Sequence, residues 1–242
     1  MRKMTFENDS IYHVYNRGVD KRTIFTDNSD YFRFVHDLYE FNDTAPAENL
    51  YYKQAELQQS YEIGSHKIKR AKDRQRSLLV NVLSFCLMPN HFHLLLRQRK
   101  NEGVQIFMQK LGIGYAKYFN TKHERSGTLF QGRFKAVLID TQEYLNHISF
   151  YIHANPIELA DHNWKKGELT RNKKEIMNFL ESYRWSSYPD YIGKRNFPSV
   201  TQRDFLTKYL NGPAEYKKQM FDWISEFNFQ NNIDLADIKL DE

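Results

Sequence analysis

The sequence predicts an α+β protein in which helices cover an antiparallel sheet. Two kinds of pattern support this class. Short runs of β-branched, aromatic and aliphatic residues are separated by longer segments whose apolar residues recur at three- and four-residue steps. Along the chain these patterns give the order strand, helix, hairpin, helix, strand, helix, which is typical of an antiparallel sheet packed against helices.

The first predicted elements are a strand and a helix. Residues 10–17 are rich in residues that favour β-structure, and the strand that they predict ends before Gly18. Apolar side chains with helical spacing then predict a helix over residues 28–41. Its N-cap would be Asn28 or Ser29, since both side chains can accept a hydrogen bond from the first turn.

Residues 42–77 are polar and charged, and they lack an apolar period. We predict that they form an insertion that leaves the core uninterrupted. Six basic residues and one acid lie between Lys67 and Arg76, near the end of the insertion. This basic run either contacts a polyanion or forms a solvated charged surface.

A hairpin is predicted where two apolar runs flank a turn at residues 88–90, with the first strand starting near Leu78. Side chains alternate between the two faces of a strand, so His91 and His93 should share one face and Phe92 should occupy the other. Two imidazoles on one face provide half of a metal site. The alternative is a pair of histidines on a half-exposed strand.

A helix over residues 103–121 is predicted after the hairpin, because its apolar residues recur at helical steps. Gly112 and Gly114 weaken this helix, and we expect them to allow close packing against the sheet. Residues 127–139 then predict an extended segment.

The next helix is predicted over residues 141–154, with Asp140 and Glu143 as its capping pair. It should end at Asn155, because a proline follows and disfavours a helical residue before it. Tyr151 and Asn155 are four residues apart, so their side chains should project from the same helical face.

The rest of the chain is expected to hold short elements and a helix near residues 201–229. We divide the chain into a domain over residues 1–160 and an extension over residues 161–242. The last seventeen residues carry five acids against one lysine. The role of this acidic tail, like that of the insertion, stays open.

Composition limits the classes of function. The net charge of +5 and the isoelectric point of about 9.0 suit a polyanionic partner. The single cysteine, Cys86, excludes an internal disulfide and fits a reducing compartment. No run approaches the roughly 18 apolar residues of a membrane span, and the N-terminus lacks an apolar signal core. We therefore expect a cytoplasmic protein without a membrane partner.

Several motifs, in this order along the chain, resemble the Y1 HUH transposase family, and within it the REP-associated tyrosine transposases, which are relatives of the IS200/IS605 enzymes. HUH denotes histidine, hydrophobic residue, histidine, and Y1 denotes one catalytic tyrosine. The resemblance covers residues 10–41 and 78–160. In chain order, the motifs are Tyr12-His13-Val14-Tyr15-Asn16-Arg17-Gly18, Pro89-Asn90-His91-Phe92-His93, Gly127-Thr128-Leu129-Phe130-Gln131-Gly132-Arg133-Phe134-Lys135 and Tyr151-Ile152-His153-Ala154-Asn155-Pro156.

The resemblance implies a ferredoxin-like HUH fold for the α+β domain, followed by a helical extension. It implies cleavage and rejoining of single-stranded DNA through a 5′-phosphotyrosine, at repeats that form hairpins. The expected partner is single-stranded or hairpin DNA, and the enzyme would act as a monomer or a homodimer.

The resemblance also assigns the nucleophile and the metal ligands. Tyr151 would attack the phosphorus, with Tyr144 as its nearest rival and Tyr115 and Tyr118 further away. The metal ligands would be His91, His93 and Asn155, or His147 in place of Asn155. Such a mixed nitrogen and oxygen set suits Mg²⁺ or Mn²⁺.

Basic residues in the motif-like segments are the expected DNA contacts. They are Arg17, Lys21, Arg22, Arg133 and Lys135. Two other functions stay open at this point. One is a domesticated DNA-binding protein that has the fold and no catalysis, and the other is a nickase like the HUH replication initiators and relaxases.

Overall fold

The structure is a computed structural model that describes residues 5–45, 76–164 and 168–226. Its strands are β1 (Ile11–Arg17), β2 (Val80–Met88), β3 (His91–Gln98) and β4 (Lys135–Ile139). Its α-helices are α1 (Asn28–Glu40), α2 (Gly103–Lys122), α3 (Gln142–Ala154), α4 (Ile157–Ala160), α5 (Lys173–Ser182), α6 (Tyr188–Tyr191), α7 (Asp204–Tyr209) and α8 (Pro213–Glu226). The predicted α+β class is confirmed. Most of the predicted insertion and nearly all of the acidic tail lie outside the described residues.

The four strands form one antiparallel sheet in the order β2-β3-β1-β4. With α1 between β1 and β2, and α2 between β3 and β4, this is the connectivity of a ferredoxin-like sandwich. The register of β1 against β3 places Arg17 opposite His91 and Tyr15 opposite His93. Residues that oppose each other in an antiparallel pair point to the same side of the sheet. These four side chains therefore lie on one face.

The other face, here called the apolar face, is covered by α1 and α2. Tyr12 and Val14 of β1 and Phe92, Leu94 and Leu96 of β3 point into its core. The two helices close this core with large apolar side chains that recur at helical spacing. These are Phe34, Val35 and Leu38 of α1 and Val104, Phe107, Leu111 and Tyr115 of α2.

The face that carries His91 and His93 is here called the histidine face. It is covered by α3 and by the helices that follow it. Leu95 of β3 and Ile139 of β4 share one core with Ile148 of α3, and side chains from α5 and α8 complete that core. The helices after residue 168 thus pack in the same core as α3. None of the described helices combines the length and the apolar content that a membrane crossing needs.

The helices α1 and α2 begin at residues 28 and 103, as predicted, whereas the N-caps of α1 and α3 differ from the predicted ones. The N-cap of α1 is Asp27, whose side chain accepts from the backbone N–H groups of Ser29 and Asp30. The N-cap of α3 is Thr141, which accepts from the N–H of Tyr144. The predicted N-caps were therefore wrong. Asp and Thr are also common N-cap residues, and in both places several adjacent residues could have served as the cap.

The extended segment predicted over residues 127–139 is a strand only from Lys135 onward. Before it, Gly127 and Gly132 adopt positive φ values, and Phe130 makes an isolated bridge to Gly18. The glycines break the strand geometry, so the first half of the segment is an irregular connection.

Two further predictions about helices are corrected. Gly114 packs against the ring of Phe41 at the end of α1 and not against the sheet, whereas a side chain at Gly112 would meet open space. The helix predicted near residues 201–229 is divided into α7 and α8, because Asn211 and Gly212 both adopt positive φ.

Candidate active site

His91 lies at the start of β3, and its ring orientation is set by the neighbouring residue. The Nδ1 atom of His91 is 2.6 Å from Oδ1 of Asn90, and Nδ2 of Asn90 donates to the carbonyl of Lys21 at 3.3 Å. Because the Asn90 nitrogen is used by Lys21, the oxygen faces His91 and accepts from it. In neutral His91 the proton therefore lies on Nδ1, and Nε2 carries the lone pair.

His93 is fully buried and faces β1. Its Nδ1 lies 2.9 Å from Nε2 of His13, and the two rings are nearly parallel, with centroids 5.1 Å apart. Burial lowers the pKa of His13 to about 3, so this ring is neutral at physiological pH. The ring of Tyr15 stacks on both imidazoles, 5.0 Å from His13 and 5.8 Å from His93.

Tyr151 enters this cluster from α3. Its ring stands at 86° to the ring of His93, with centroids 5.8 Å apart, and it lies 6.4 Å from the ring of His13. Burial raises the pKa of Tyr151 well above its usual range, and the charge of Glu158 raises it further, whereas a hydrogen bond from the Asn155 side chain lowers it. The structure thus brings the predicted tyrosine next to His93 of the predicted histidine pair.

Asn155 ends α3 and is fully buried. Its Nδ2 donates to the carbonyl of Tyr151 at 2.9 Å. Its Oδ1 is buried and has no hydrogen-bond partner among the residues that the structure describes. A buried amide oxygen without a donor is costly, and a cation is one kind of group that would satisfy it.

The rival residues have other partners. The Nδ1 of His147 accepts from Nε1 of Trp223 at 3.0 Å, so this ring contacts α8. The hydroxyl of Tyr115 donates to the carbonyl of Ile24, in the core of the apolar face. Tyr118 donates to the carboxylate of Asp30, near the same face. Tyr144 is partly buried against the core of the histidine face.

The predicted DNA contacts fall into two groups. Arg17 lies opposite His91, and Lys135 of β4 lies opposite Tyr15, so both belong to the histidine face. Arg17 is largely buried and donates to Oε1 of Gln131 at 3.3 Å. The remaining three residues lie outside the strands: Lys21 ends a short 3₁₀ helix and is exposed, Arg133 is exposed, and Arg22 is half-buried.

Two residues of this site were missed or left open by the sequence analysis. His13 was named only as part of a motif, although its position two residues before Tyr15 places both side chains on the same face of β1. Glu158 was not considered, although it follows Tyr151 by seven residues, which is two helical turns. Helical periodicity carried past the proline would have found it.

The grouping of side chains limits which residue types could complete a metal site with His91 and His93. Within residues 5–45, 76–164 and 168–226, no three His, Cys, Asp or Glu side chains are grouped so that they could hold a metal ion. A site built on His91 and His93 therefore needs a ligand of another kind. Asn155, with its buried Oδ1, fits that requirement.

Comparisons with known proteins were made with the whole sequence and the whole structure. The sequence model of a family described as "Transposase IS200 like" matches residues 47–155. No curated protein matches the sequence. Among solved structures, a REP-associated tyrosine transposase bound to a REP hairpin superposes with a TM-score of 0.45, at 12% identity over 84% of this chain and 91% of that chain.

A second solved structure, tRNA(His) guanylyltransferase from Saccharomyces cerevisiae, superposes with a TM-score of 0.34, at 7% identity over 97% of this chain and 86% of that chain. Both TM-scores are low, so neither superposition carries an argument about function.

Proposed function

We propose that this chain, whose residues 47–155 match the family described as "Transposase IS200 like", cleaves and rejoins single-stranded DNA through a 5′-phosphotyrosine on Tyr151. The observation that carries the proposal is the contact between the rings of Tyr151 and His93. This contact joins α3 to β3, which are far apart in the sequence. A tyrosine and a histidine are residue types that tyrosine-mediated, metal-dependent DNA cleavage requires. All of these residues come from one chain.

The family generally uses a divalent metal, and we propose that Nε2 of His91, Nε2 of His93 and Oδ1 of Asn155 hold Mg²⁺ or Mn²⁺ here. The Nδ1 atoms of both histidines already face protein partners, which supports Nε2 as the ligand atom in each ring. When bound, the cation would polarise the phosphate and stabilise its developing negative charge. Two imidazoles and an amide oxygen leave room for water and a phosphate oxygen.

Tyr151 supplies the nucleophile. Its raised pKa means that the resting side chain is a neutral phenol, so the phenolic proton must leave as the phosphorus is attacked. The new bond joins Oη of Tyr151 to phosphorus, and the bond from phosphorus to the 3′-oxygen breaks. The phenolic proton passes to water, and the departing oxygen takes a proton and becomes a 3′-hydroxyl. Rejoining is the reverse reaction, so it needs no nucleotide triphosphate.

The basic residues would hold the strand across this face. Arg17 and Lys135 lie on the histidine face, where each would contact a phosphate next to the scissile one. Lys21, Arg22 and Arg133 would contact the DNA further from the centre. Single-stranded and hairpin DNA expose phosphates and base edges together, which suits basic groups close to aromatic rings.

Covalent trapping tests the proposal. The protein is mixed with a labelled library of single-stranded hairpins and Mn²⁺, then denatured and separated by size. Wild type and Tyr144→Phe should both give a band of protein-bound DNA, whereas Tyr151→Phe should give none. EDTA should abolish the band in all samples.

The other outcomes are equally informative. A band that survives in Tyr151→Phe and disappears in Tyr144→Phe would overturn the choice of nucleophile. Tight hairpin binding that is insensitive to EDTA, with no covalent band in wild type, would favour the DNA-binding protein without catalysis. Cleavage with no rejoining of the trapped strand would favour a nickase.

A further inference from the structure

His13 is a buried histidine of the histidine face, and the proposed function gives it no role. It lies on β1, is completely buried, and faces the histidine pair from the neighbouring strand. Its Nε2 is 2.9 Å from Nδ1 of His93, and the rings are inclined by only 11°. That distance is in the range of a hydrogen bond between two ring nitrogens.

A hydrogen bond between two neutral imidazoles contains one proton, which belongs to one ring or to the other. If the proton is on Nε2 of His13, neutral His93 carries its own proton on Nε2 and cannot bind a metal through that atom. If the proton is on Nδ1 of His93, Nε2 of His93 has a lone pair and can bind. Metal binding by His93 therefore requires His13 to accept.

We propose that His13 is a positioning residue that accepts the Nδ1 proton of His93 and so holds His93 in the tautomer and orientation that bind the metal. The inference rests on the proposed function, because it assumes that His93 is a ligand. Histidine ligands of metals generally donate their second ring N–H to a fixed acceptor, and loss of that acceptor lowers metal affinity by about 10- to 100-fold.

The comparison with His91 supports this role. His91 has the same arrangement, with its Nδ1 facing Oδ1 of Asn90. Each histidine of the pair thus has, beside its Nδ1, an atom that can accept a hydrogen bond. Tyr15 stacks on both His13 and His93, which restricts the rotation of the two rings and keeps the nitrogen atoms aligned.

The first test reads the tautomer in the wild-type protein, and a variant serves only to assign the His93 signal. Two-dimensional ¹⁵N–¹H spectra of histidine side chains distinguish a proton on Nδ1 from one on Nε2. His93, assigned through His93→Gln, should carry its proton on Nδ1 in the presence of saturating Mg²⁺. A proton on Nε2 of His93 under the same conditions would overturn the inference.

The second test measures Mn²⁺ affinity by calorimetry. His13→Phe keeps an aromatic ring in place and removes the acceptor, so it should weaken Mn²⁺ binding by about 10- to 100-fold. His13→Gln supplies an amide oxygen and should recover part of the loss. Val14→Ala is the matched control: it removes buried atoms at the next residue, on the apolar face, and should lower stability while leaving Mn²⁺ affinity unchanged.

Mn²⁺ binding by wild type and His91→Ala distinguishes a failure of the proposed metal site from a failure of the proposed role of His13. If wild type and His91→Ala both fail to bind Mn²⁺, the proposed metal site fails and this inference fails with it. If wild type binds Mn²⁺ and His91→Ala does not, while His13→Phe binds as tightly as wild type, the inference about His13 alone is overturned.

Discussion

The two faces of the sheet are built from the same strands and have opposite characters. Along β3, Phe92 points into the apolar face, and His91 and His93 point to the histidine face. The apolar face is closed by α1 and α2, which belong to the ferredoxin-like repeat. The histidine face is closed by α3 and by helices that follow the repeat.

The histidine face is itself divided along the strands. Arg17, Tyr15 and the pair His91 and His93 lie toward one end, and Leu95 and Ile139 lie further along the strands. Polar side chains are thus concentrated where α3 ends and Tyr151 enters. Under the proposed function, side chains at one end of the histidine face carry the chemistry, and those of the apolar face contribute to stability alone. The following variants test that division.

The largest expected effect is on catalysis, in His91→Ala. Loss of a metal ligand should lower Mn²⁺-dependent DNA cleavage by more than about a hundredfold, since even groups that only orient ligands contribute about 10- to 100-fold. The variant also loses the hydrogen bond to Asn90, so the free energy of unfolding should fall by only about 0.5–1.5 kcal/mol. Cleavage rates and urea unfolding measure the two quantities. A variant that cleaves normally would contradict the division.

The reverse result is expected one residue further along the strand, in Phe92→Ala. Phe92 is buried on the apolar face, where its ring lies 4.9 Å from the ring of Phe34 and 5.9 Å from that of Phe130. Its truncation should lower the free energy of unfolding by about 3–5 kcal/mol. The folded fraction should still bind Mn²⁺ with wild-type affinity. A selective loss of Mn²⁺ binding would show that the two faces are not independent.

A smaller effect is expected where α8 contacts α3. His153 is buried, with its Nδ1 2.5 Å from the hydroxyl of Tyr216 and its Nε2 2.7 Å from Oγ of Ser187. Tyr216→Phe leaves a buried ring nitrogen without that partner and should lower the free energy of unfolding by about 1–3 kcal/mol. Tyr209→Phe is the control, since its hydroxyl makes an exposed bond to the carbonyl of Gln142. Equal losses in the two variants, measured by urea unfolding, would contradict this account.

The smallest effect is expected at the polar cluster beside the apolar face. Asp30 is buried, and its pKa is lowered: burial acts to raise it, but hydrogen bonds from Lys122 and Thr26 outweigh burial. The folded state therefore binds fewer protons than the unfolded state. The resulting stability is present above the unfolded pKa of about 4 and is lost as the pH falls through the lowered folded pKa.

Lys122→Met should weaken this dependence. The ammonium of Lys122 contacts both Asp27 and Asp30, and the ring of His123 and the hydroxyl of Tyr118 also face Asp30. Because Lys122 is partly exposed, its removal should cost only about 1 kcal/mol at pH 7. Thermal unfolding between pH 7 and pH 3 should show a smaller loss of stability in the variant. Identical pH profiles of stability in wild type and Lys122→Met would show that other titratable groups cause the pH dependence.

The sequence predicted most helices and strands, because the spacing of apolar residues within one element is a local pattern. The same local spacing predicted which side chains of a single strand or helix share a face. The alternation of side chains along β3 was enough to place His91 and His93 on one face of the sheet. The four-residue spacing of Tyr151 and Asn155 was enough to place both on one face of α3. The break between α7 and α8 could also have been predicted, since Asn211 and Gly212 are residues that favour positive φ.

The contact between His13 and His93 could not be predicted in the same way. In the register of β1 against β3, His93 lies opposite Tyr15, and His13 lies opposite Leu95. The hydrogen bond between the histidines is therefore diagonal, and a strand register is fixed only when the sheet assembles. The hydrogen bonds between α8 and α3 could not be predicted either, because they join residues more than sixty positions apart in the sequence.

The most direct test of the account is to locate the covalent bond. The trapped DNA–protein adduct is digested with nuclease and trypsin, and the modified peptide is sequenced by mass spectrometry. No lysine or arginine lies between Ala136 and Asn163, so one tryptic peptide contains both Tyr144 and Tyr151, and fragmentation separates them. The account predicts a nucleotide phosphate on Tyr151. A phosphate on Tyr144, or on a peptide from α2, would contradict it.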